Sequence, residues 1–411
     1  RAMAIFTFPP MKPCYPLYGM QRNCFPKFPA MLQSTEWTRQ HRGKTMENGG
    51  KTSRLAELVD RCSHPADPAL ARPAREGAVR CMACGHRCLV RPGRRGVCRV
   101  RFNRQGTLLV PWGYVAGLQI DPIEKKPFYH AVPGGRALSF GMLGCSLHCA
   151  FCQNWFSSQT LRDDDSSALP TECDAVTMVD EAVRHKVDAV ISTYNEPLIT
   201  AEWSHEMFSE AKKHGILCGF VSNGFASPEV IEFLRPVTDL FKIDLKCFND
   251  TAYRTLGCRL APVLESIQQA VELGYWVEVV TLLIPGFNDD EAELRALARF
   301  LAGVSPHLPW HVTAFHPQYK MSGQRRTTPE DLCRAWQTGR DAGLHYVYAG
   351  NLPGKVGTLE DTVCPGCGKV LIERIGFQVR CNSVRNGACP GCGTVIAVCW
   401  TPSPAAETSL K

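Results

Sequence analysis

Residues 141–155 read GMLGCSLHCAFCQNW and place three cysteines at C-x3-C-x2-C spacing: Cys145, Cys149 and Cys152. The stretch directly follows an apolar run and precedes Gln153, Asn154 and Trp155. Thiols this close in sequence point to a shared metal centre. Iron–sulfur clusters are usually held by four thiolates. Three thiolates on a cubane leave one iron without a protein ligand, and an open coordination position is what lets a metal site bind a substrate or cofactor. The competing reading is a zinc ion completed by His148 or by a distant residue.

Outward from this loop the pattern is strand–helix alternation. The short apolar runs LSFGMLG, AVISTYNE, GFVSNG, LFKIDLK, WVEVVTLLIPG, WHVTAFHP and YVYAGN alternate with amphipathic stretches such as MVDEAVRHK, SPEVIEFLRP and DDEAELRALARFLAG. Such alternation predicts a parallel sheet with right-handed crossovers. Six or seven units within residues 138–358 fall short of the full eight-fold barrel of about 250 residues, so an α/β fold with a partial, open (β/α)6-type barrel is expected. Cys145, Asn195 with Glu196, Ser222 with Asn223, Asp244 with Lys246, Asn288 and His316 all fall at or just after predicted strand ends. In a βα barrel those ends line one face, where the active site is built. Ordinary turn chemistry explains the asparagines well, but explains Glu196, Asp244 and Lys246 poorly.

Two further cysteine clusters flank the barrel. Cys364, Cys367, Cys389 and Cys392 form two CPGC knuckles with a short insert between them, matching a four-thiolate zinc-ribbon-like unit over residues 359–402 with a structural role. Cys81, Cys84, Cys88 and Cys98 form a C-x2-C-x3-C-x9-C knuckle within residues 78–137. Four thiolates suffice there for zinc or for a second iron–sulfur cluster; a structural zinc knuckle is the favoured reading. Residues 1–77 are expected as a poorly ordered extension and residues 403–411 as a loose tail. Residues 1–50 are set aside from fold reasoning, with Met46 as an alternative start.

Of 411 residues, 45% are hydrophobic and 21% charged, and no apolar run is long enough to span a bilayer. Eleven of the twenty-one cysteines sit in three clusters with metal-site spacings, which favours a reducing, cytoplasmic setting over a disulfide-stapled one. The net charge is +7, and ten arginines lie between Arg72 and Arg104, a basic segment that suits RNA or an acidic partner, or is simply a solvated face.

The cysteine triad, together with DPIEKKPFYH, STYNEP, DLKCFND, LLIPGFND, AFHPQYKM, YVYAGN and the paired CPGC, resembles the radical S-adenosylmethionine (SAM) superfamily. Within it the motifs resemble the AmmeMemoRadiSam-system branch, related to pyruvate formate-lyase activating enzyme, from about residue 79 to 401. The resemblance implies that Cys145, Cys149 and Cys152 hold a [4Fe-4S] cluster whose open iron is chelated by the amino and carboxylate groups of SAM. One-electron reduction then splits SAM into methionine and a 5′-deoxyadenosyl radical, which removes a hydrogen atom from the substrate. It further implies that Phe151 packs near the adenine. Asn195 and Glu196, standing where many members carry Gly-Gly-Glu, would serve the methionine amino group. Asp244 and Lys246 would meet the ribose and carboxylate, and His316 the ribose. The residue types agree: a lysine suits a carboxylate, and a carboxylate suits an ammonium or a diol. A reduced flavodoxin- or ferredoxin-like donor and a protein substrate are implied. Only Cys173 lies between the triad and the second strand, so the ferredoxin-like insert of some activases is missing. An RNA-modifying radical enzyme and a non-catalytic zinc or nucleic-acid-binding protein are the alternative readings.

Overall fold

The computed structural model describes residues 51–163, 168 and 170–399. Its centre is an eight-stranded sheet of β1 (Gly117–Pro122), β2 (Arg136–Gly141), β3 (Ala189–Ser192), β4 (Leu217–Ser222), β5 (Leu240–Asp244), β6 (Trp276–Leu283), β7 (Trp310–Ala314) and β8 (Val347–Gly350). Spatial order follows chain order, β1 to β8. β1 pairs antiparallel with β2, and β2 through β8 are parallel. Seven parallel strands need six crossovers, and the expected partial barrel has that number. The sheet does not close: among the described residues β1 and β8 are edges of one linear order.

Local sequence explains the crossovers. The helices are Ala175–Arg184, Ala201–Lys213, Pro228–Leu234, Ala261–Glu272, Glu291–Val304 and Pro329–Asp341. Asp174, Ser227, Asp290 and Thr328 cap four of them, each accepting from a backbone N–H three residues on. Thr328 and Asp331 form a reciprocal capping box. Val179, Ile231, Ile267, Leu297 and Ala335 bury the inner helix faces against the sheet. The central strands are buried along their length, and sheets covered on both faces are apolar for that reason.

Residues 51–77 depart from expectation. Instead of a poorly ordered extension they form a helix, Lys51–Arg61, and the strands Ser63–Pro65 and Ala71–Pro73. The first strand pairs with Thr107–Pro111 and the second with Val79–Cys81, so this segment belongs to the cysteine knuckle. Three-residue strands bounded by proline leave no periodicity for a sequence reading to detect. The expectations for residues 1–50 and 403–411 lie outside the described residues.

The C-terminal unit is a three-stranded antiparallel sheet of Thr362–Val363, Val370–Ile375 and Gln378–Asn382. It docks on the DPIEKKPFYH segment: Arg374 donates to the Tyr129 carbonyl at 2.8 Å, and His130 Nδ1 lies 2.6 Å from the Ala397 carbonyl oxygen. Beside that contact sits the fully buried Glu278 of β6. Its carboxylate accepts from the backbone N–H of Tyr129 (3.0 Å) and of His130 (2.9 Å), from Trp276 Nε1 (3.0 Å) and from His311 Nε2 (2.7 Å). Replacing Glu278 by Ala leaves these donors without their acceptor and should cost about 3–5 kcal/mol. Urea denaturation checks this, with Glu278→Gln expected to lose less because it keeps an acceptor. An unchanged midpoint for Glu278→Ala would show that the donors find other partners.

Candidate active site

The triad loop begins where β2 ends. Gly144 takes φ +87°, a left-handed conformation that favours glycine, and a Cβ there would sit 2.9 Å from the Cys98 carbonyl oxygen. Asn195 Oδ1 accepts from the Met142 N–H at 3.0 Å, and Gly144 N–H donates to the Ser157 carbonyl at 3.0 Å. The loop is thus fixed from the end of β3 and from the segment that follows the triad. Its thiols are held in turn. Cys145 Sγ accepts from the Leu147 N–H at 3.3 Å and lies 3.8 Å from Asn223 Nδ2, and Cys152 Sγ lies 3.1 Å from Ser158 Oγ. Burial pushes the Cys149 thiol up to about 12, with the Lys246 ammonium pulling the other way.

The three thiols open on a cavity of about 520 Å³ at the C-terminal ends of the strands, lined also by Phe151, Asn195, Glu196, Asp244 and Lys246. Asp244 sits between two lysines. Lys242 Nζ bonds one carboxylate oxygen and Lys246 Nζ lies 3.2 Å from the other. Burial opposes the charge of Asp244, but Lys242 and then Lys246 outweigh it and hold the carboxyl at about 2. Two ammonium groups against one carboxylate leave a net positive charge in the wall, suited to a carboxylate ligand. Lys242 was not among the residues expected here, yet K-I-D-L-K carries the signal: 242 and 244 share one face of β5, and 246 lies two residues beyond the strand end in the same alternation.

Other expected residues have different settings. Glu196 lines the cavity but is only 1% exposed; it accepts from Ser222 Oγ (2.7 Å), the Asn223 N–H (2.8 Å) and the Leu198 N–H (3.1 Å). Burial raises its carboxyl to about 7 despite those bonds. It therefore ties the end of β3 to the end of β4. Asn288 is buried and spends its amide on Ile284 N–H, Lys246 O and Leu282 O, which secures the backbone behind Lys246. His316 is not among the cavity-lining residues; its Nε2 lies 3.4 Å from the Asn351 carbonyl oxygen. His148 is exposed, with its ring against Gly257. Among the described residues it forms no close ligand set with the triad, as a zinc site would need.

At the other end of the chain, Cys364, Cys367, Cys389 and Cys392 hold their sulfurs within 4.8 Å of one another, with 364–392 at 3.6 Å and 367–389 at 3.7 Å. Metal–sulfur bonds of about 2.3 Å in a tetrahedron require about 3.8 Å between sulfurs. The quartet fits one tetrahedral ion, as a zinc-ribbon-like unit does. All nineteen described cysteines are free thiols. Of those outside the clusters, Cys218, Cys247 and Cys258 are buried, Cys62, Cys173 and Cys399 are half-buried, and Cys333 and Cys381 are exposed. The basic segment is partly neutralised: Arg72 and Arg87 pair with Glu229, Arg95 with Asp60 and Arg101 with Glu202. Among the described residues no helix is long and apolar enough to cross a membrane.

Residues 141–301, which carry the triad, Glu196, Asp244 and Lys246, match the model of the radical SAM superfamily, and the chain belongs to that superfamily. Its relatives include the uncharacterized protein MJ0808 of Methanocaldococcus jannaschii, 36% identical over 74% of this chain and 90% of that one. They also include the pyruvate formate-lyase 1-activating enzyme of Escherichia coli K12, 28% identical over 49% of this chain and 87% of that one. Among solved structures, a radical SAM methyltransferase from Sphaerobacter thermophilus aligns over 77% of this chain and 85% of that one, with TM-score 0.43 and 16% identity. Membership implies a [4Fe-4S] cluster and SAM.

Proposed function

We propose that this chain is a radical SAM enzyme acting on a protein substrate, in the manner of an activating enzyme. The observation that carries the reading is the meeting of Cys145, Cys149 and Cys152 with the Lys242–Asp244–Lys246 face in one cavity. The donor set suits the group: three thiols, Cys145, Cys149 and Cys152, line one cavity. A [4Fe-4S] cluster bound there supplies the electron that splits SAM homolytically into methionine and a hydrogen-abstracting radical.

The chain's own residues bind and orient. Lys246, with Lys242 behind the shared Asp244, offers positive charge to the SAM carboxylate. Phe151, buried and with its ring 5.6 Å from that of Phe287, gives the cavity an apolar wall for a purine. Glu196 keeps Ser222 and Asn223 in place, and Asn223 in turn steadies Cys145 and Ser146. The resemblance to an activating enzyme supports a protein acceptor and a one-electron donor of the flavodoxin or ferredoxin class. The metal in the C-terminal quartet is proposed to be structural zinc.

Anaerobic incubation of reconstituted protein with SAM and a low-potential reductant should release methionine and 5′-deoxyadenosine in equal amounts. Deuterium from a labelled partner protein should appear in the 5′-deoxyadenosine; transfer from RNA instead would move the substrate to that class. Lys246→Met should raise the KM for SAM by about 10- to 100-fold, since a charged hydrogen bond is worth about 1.5–3 kcal/mol. A KM like the parent's would remove Lys246 from the SAM site.

A further inference from the structure

The charges of DPIEKKPFYH, residues 121–130, have no part in the activity proposed above. Asp121 lies at the end of β1, and one short helical turn, Ile123–Lys125, follows it. That turn brings two lysines back onto one carboxylate. Lys125 Nζ lies 2.8 Å from Asp121 Oδ1, and Lys126 Nζ lies 3.1 Å from Oδ2. Glu124, beside them, accepts from the Gly134 N–H at 2.8 Å and lies 3.7 Å from Arg374 Nε, so its charge is met elsewhere.

Lys125 and Lys126 line the same cavity as the triad. Lys126 is 4% exposed, and its Nζ stands 3.0 Å from the Tyr194 hydroxyl and 4.8 Å from the centre of the Tyr194 ring. A buried ammonium is costly unless it is paired. A lysine has three donors, and Lys126 spends two of them on Asp121 and Tyr194. Two lysines against one aspartate also leave a net positive charge. The cavity wall therefore keeps one donor and one charge for a ligand.

Tyr194 is built into this place. Its φ is +69°, a left-handed conformation that is uncommon for a bulky residue. A Cβ on Gly141 would stand 2.8 Å from the Tyr194 Cβ, so β2 makes room for the side chain with a glycine. The Tyr194 hydroxyl accepts from Lys126, and its own proton reaches Gln119 Oε1 at 3.4 Å. That is long for a hydroxyl donor, so a closer acceptor would replace it.

The cavity thus carries two lysine–aspartate–lysine sets. Lys242, Asp244 and Lys246 are assigned above to the carboxylate of SAM, and SAM has one carboxylate. We propose that Lys126 and Tyr194, backed by Asp121 and Lys125, bind a carboxylate of the substrate protein. The enzyme then selects a hydrogen-donating site that lies close to an acidic residue or to a C-terminus. This deepens the reading of the chain as a protein-modifying enzyme and rests on it. The remaining N–H of Lys126 and the O–H of Tyr194 offer two donors to the two oxygens of a carboxylate.

The test uses reconstituted full-length protein, loaded with SAM and left oxidised. It is incubated with a synthetic library of short random peptides, half of it amidated at the C-terminus, and the bound peptides are sequenced by mass spectrometry. Peptides with Asp or Glu should be enriched about 10-fold or more over their Asn or Gln counterparts. Enrichment within the amidated half marks an acidic side chain, and enrichment confined to the free-ended half marks a C-terminal carboxylate. Lys126→Met should abolish the preference and Lys126→Arg should keep it. Tyr194→Phe removes one oxygen, leaves the Lys126–Asp121 pair in place, and should reduce the preference several-fold. Parent protein that shows no acidic preference or binds no peptide overturns the proposal, as does an unchanged preference in Lys126→Met. So does a KM for SAM raised by Lys126→Met, which would give this set to SAM. The peptides bind before any electron is supplied, so failure here leaves reductive SAM cleavage standing, and loss of that cleavage leaves the peptide preference readable.

Discussion

Changing Cys149 to Ala should reduce 5′-deoxyadenosine release to the level produced by the reductant alone. Cys149 is the most enclosed of the triad, buried beneath the cavity and within the field of Lys246. A cubane held by two thiolates has two bare irons, loses iron readily, and no longer presents a single defined corner to SAM. Cys145→Ala and Cys152→Ala should behave alike, since each thiol has its own separate support in Asn223 or Ser158. Lost activity alone could reflect unfolding, so iron content is measured with it. The expected loss is about four irons per chain with circular dichroism unchanged. Release of 5′-deoxyadenosine by any of the three variants at the parent's rate would remove that cysteine from the ligand set.

Changing Cys364 to Ala should destabilise the protein by about 5 kcal/mol, a part of the about 10–16 kcal/mol by which structural zinc folds isolated fingers. Its core is small, built of Cys364, Leu371, Ile372, Cys389 and Ile396, too few apolar side chains to hold three short strands unaided. The damage should travel. Arg374 and Ala397 bond the Tyr129–His130 segment that caps Glu278, and Phe377 lines the cavity. Thermal melting of the variant, and of parent protein treated with a zinc chelator, should show the same early transition. A melting curve indistinguishable from the parent's would mean that the quartet does not depend on metal.

What the sequence revealed and what it hid divide along physical lines. Thiol spacing is local, and the triad and the C-terminal quartet were readable from it. Strand ends were readable as well, because an apolar run that stops at a polar residue marks one edge of a parallel sheet. That placed Asp244 and Lys246 in the cavity wall. Side-chain partners across the fold were not readable. Nothing near Glu196 in the chain shows that Ser222 and Asn223 occupy its carboxylate, or that Asn288 serves the backbone behind Lys246. The pairing of Arg101 with Glu202, a hundred and one positions away, could not be inferred from a run of arginines.

Electron–nuclear double resonance on the reduced protein, with SAM labelled at its amino nitrogen and carboxylate oxygen, probes the vacant corner itself. Hyperfine coupling from both labels to the cluster is expected, and it should vanish in the Cys145, Cys149 and Cys152 variant. A cluster signal that takes no coupling from either label, or reduced protein with no cubane signal at all, would contradict the assignment of the triad.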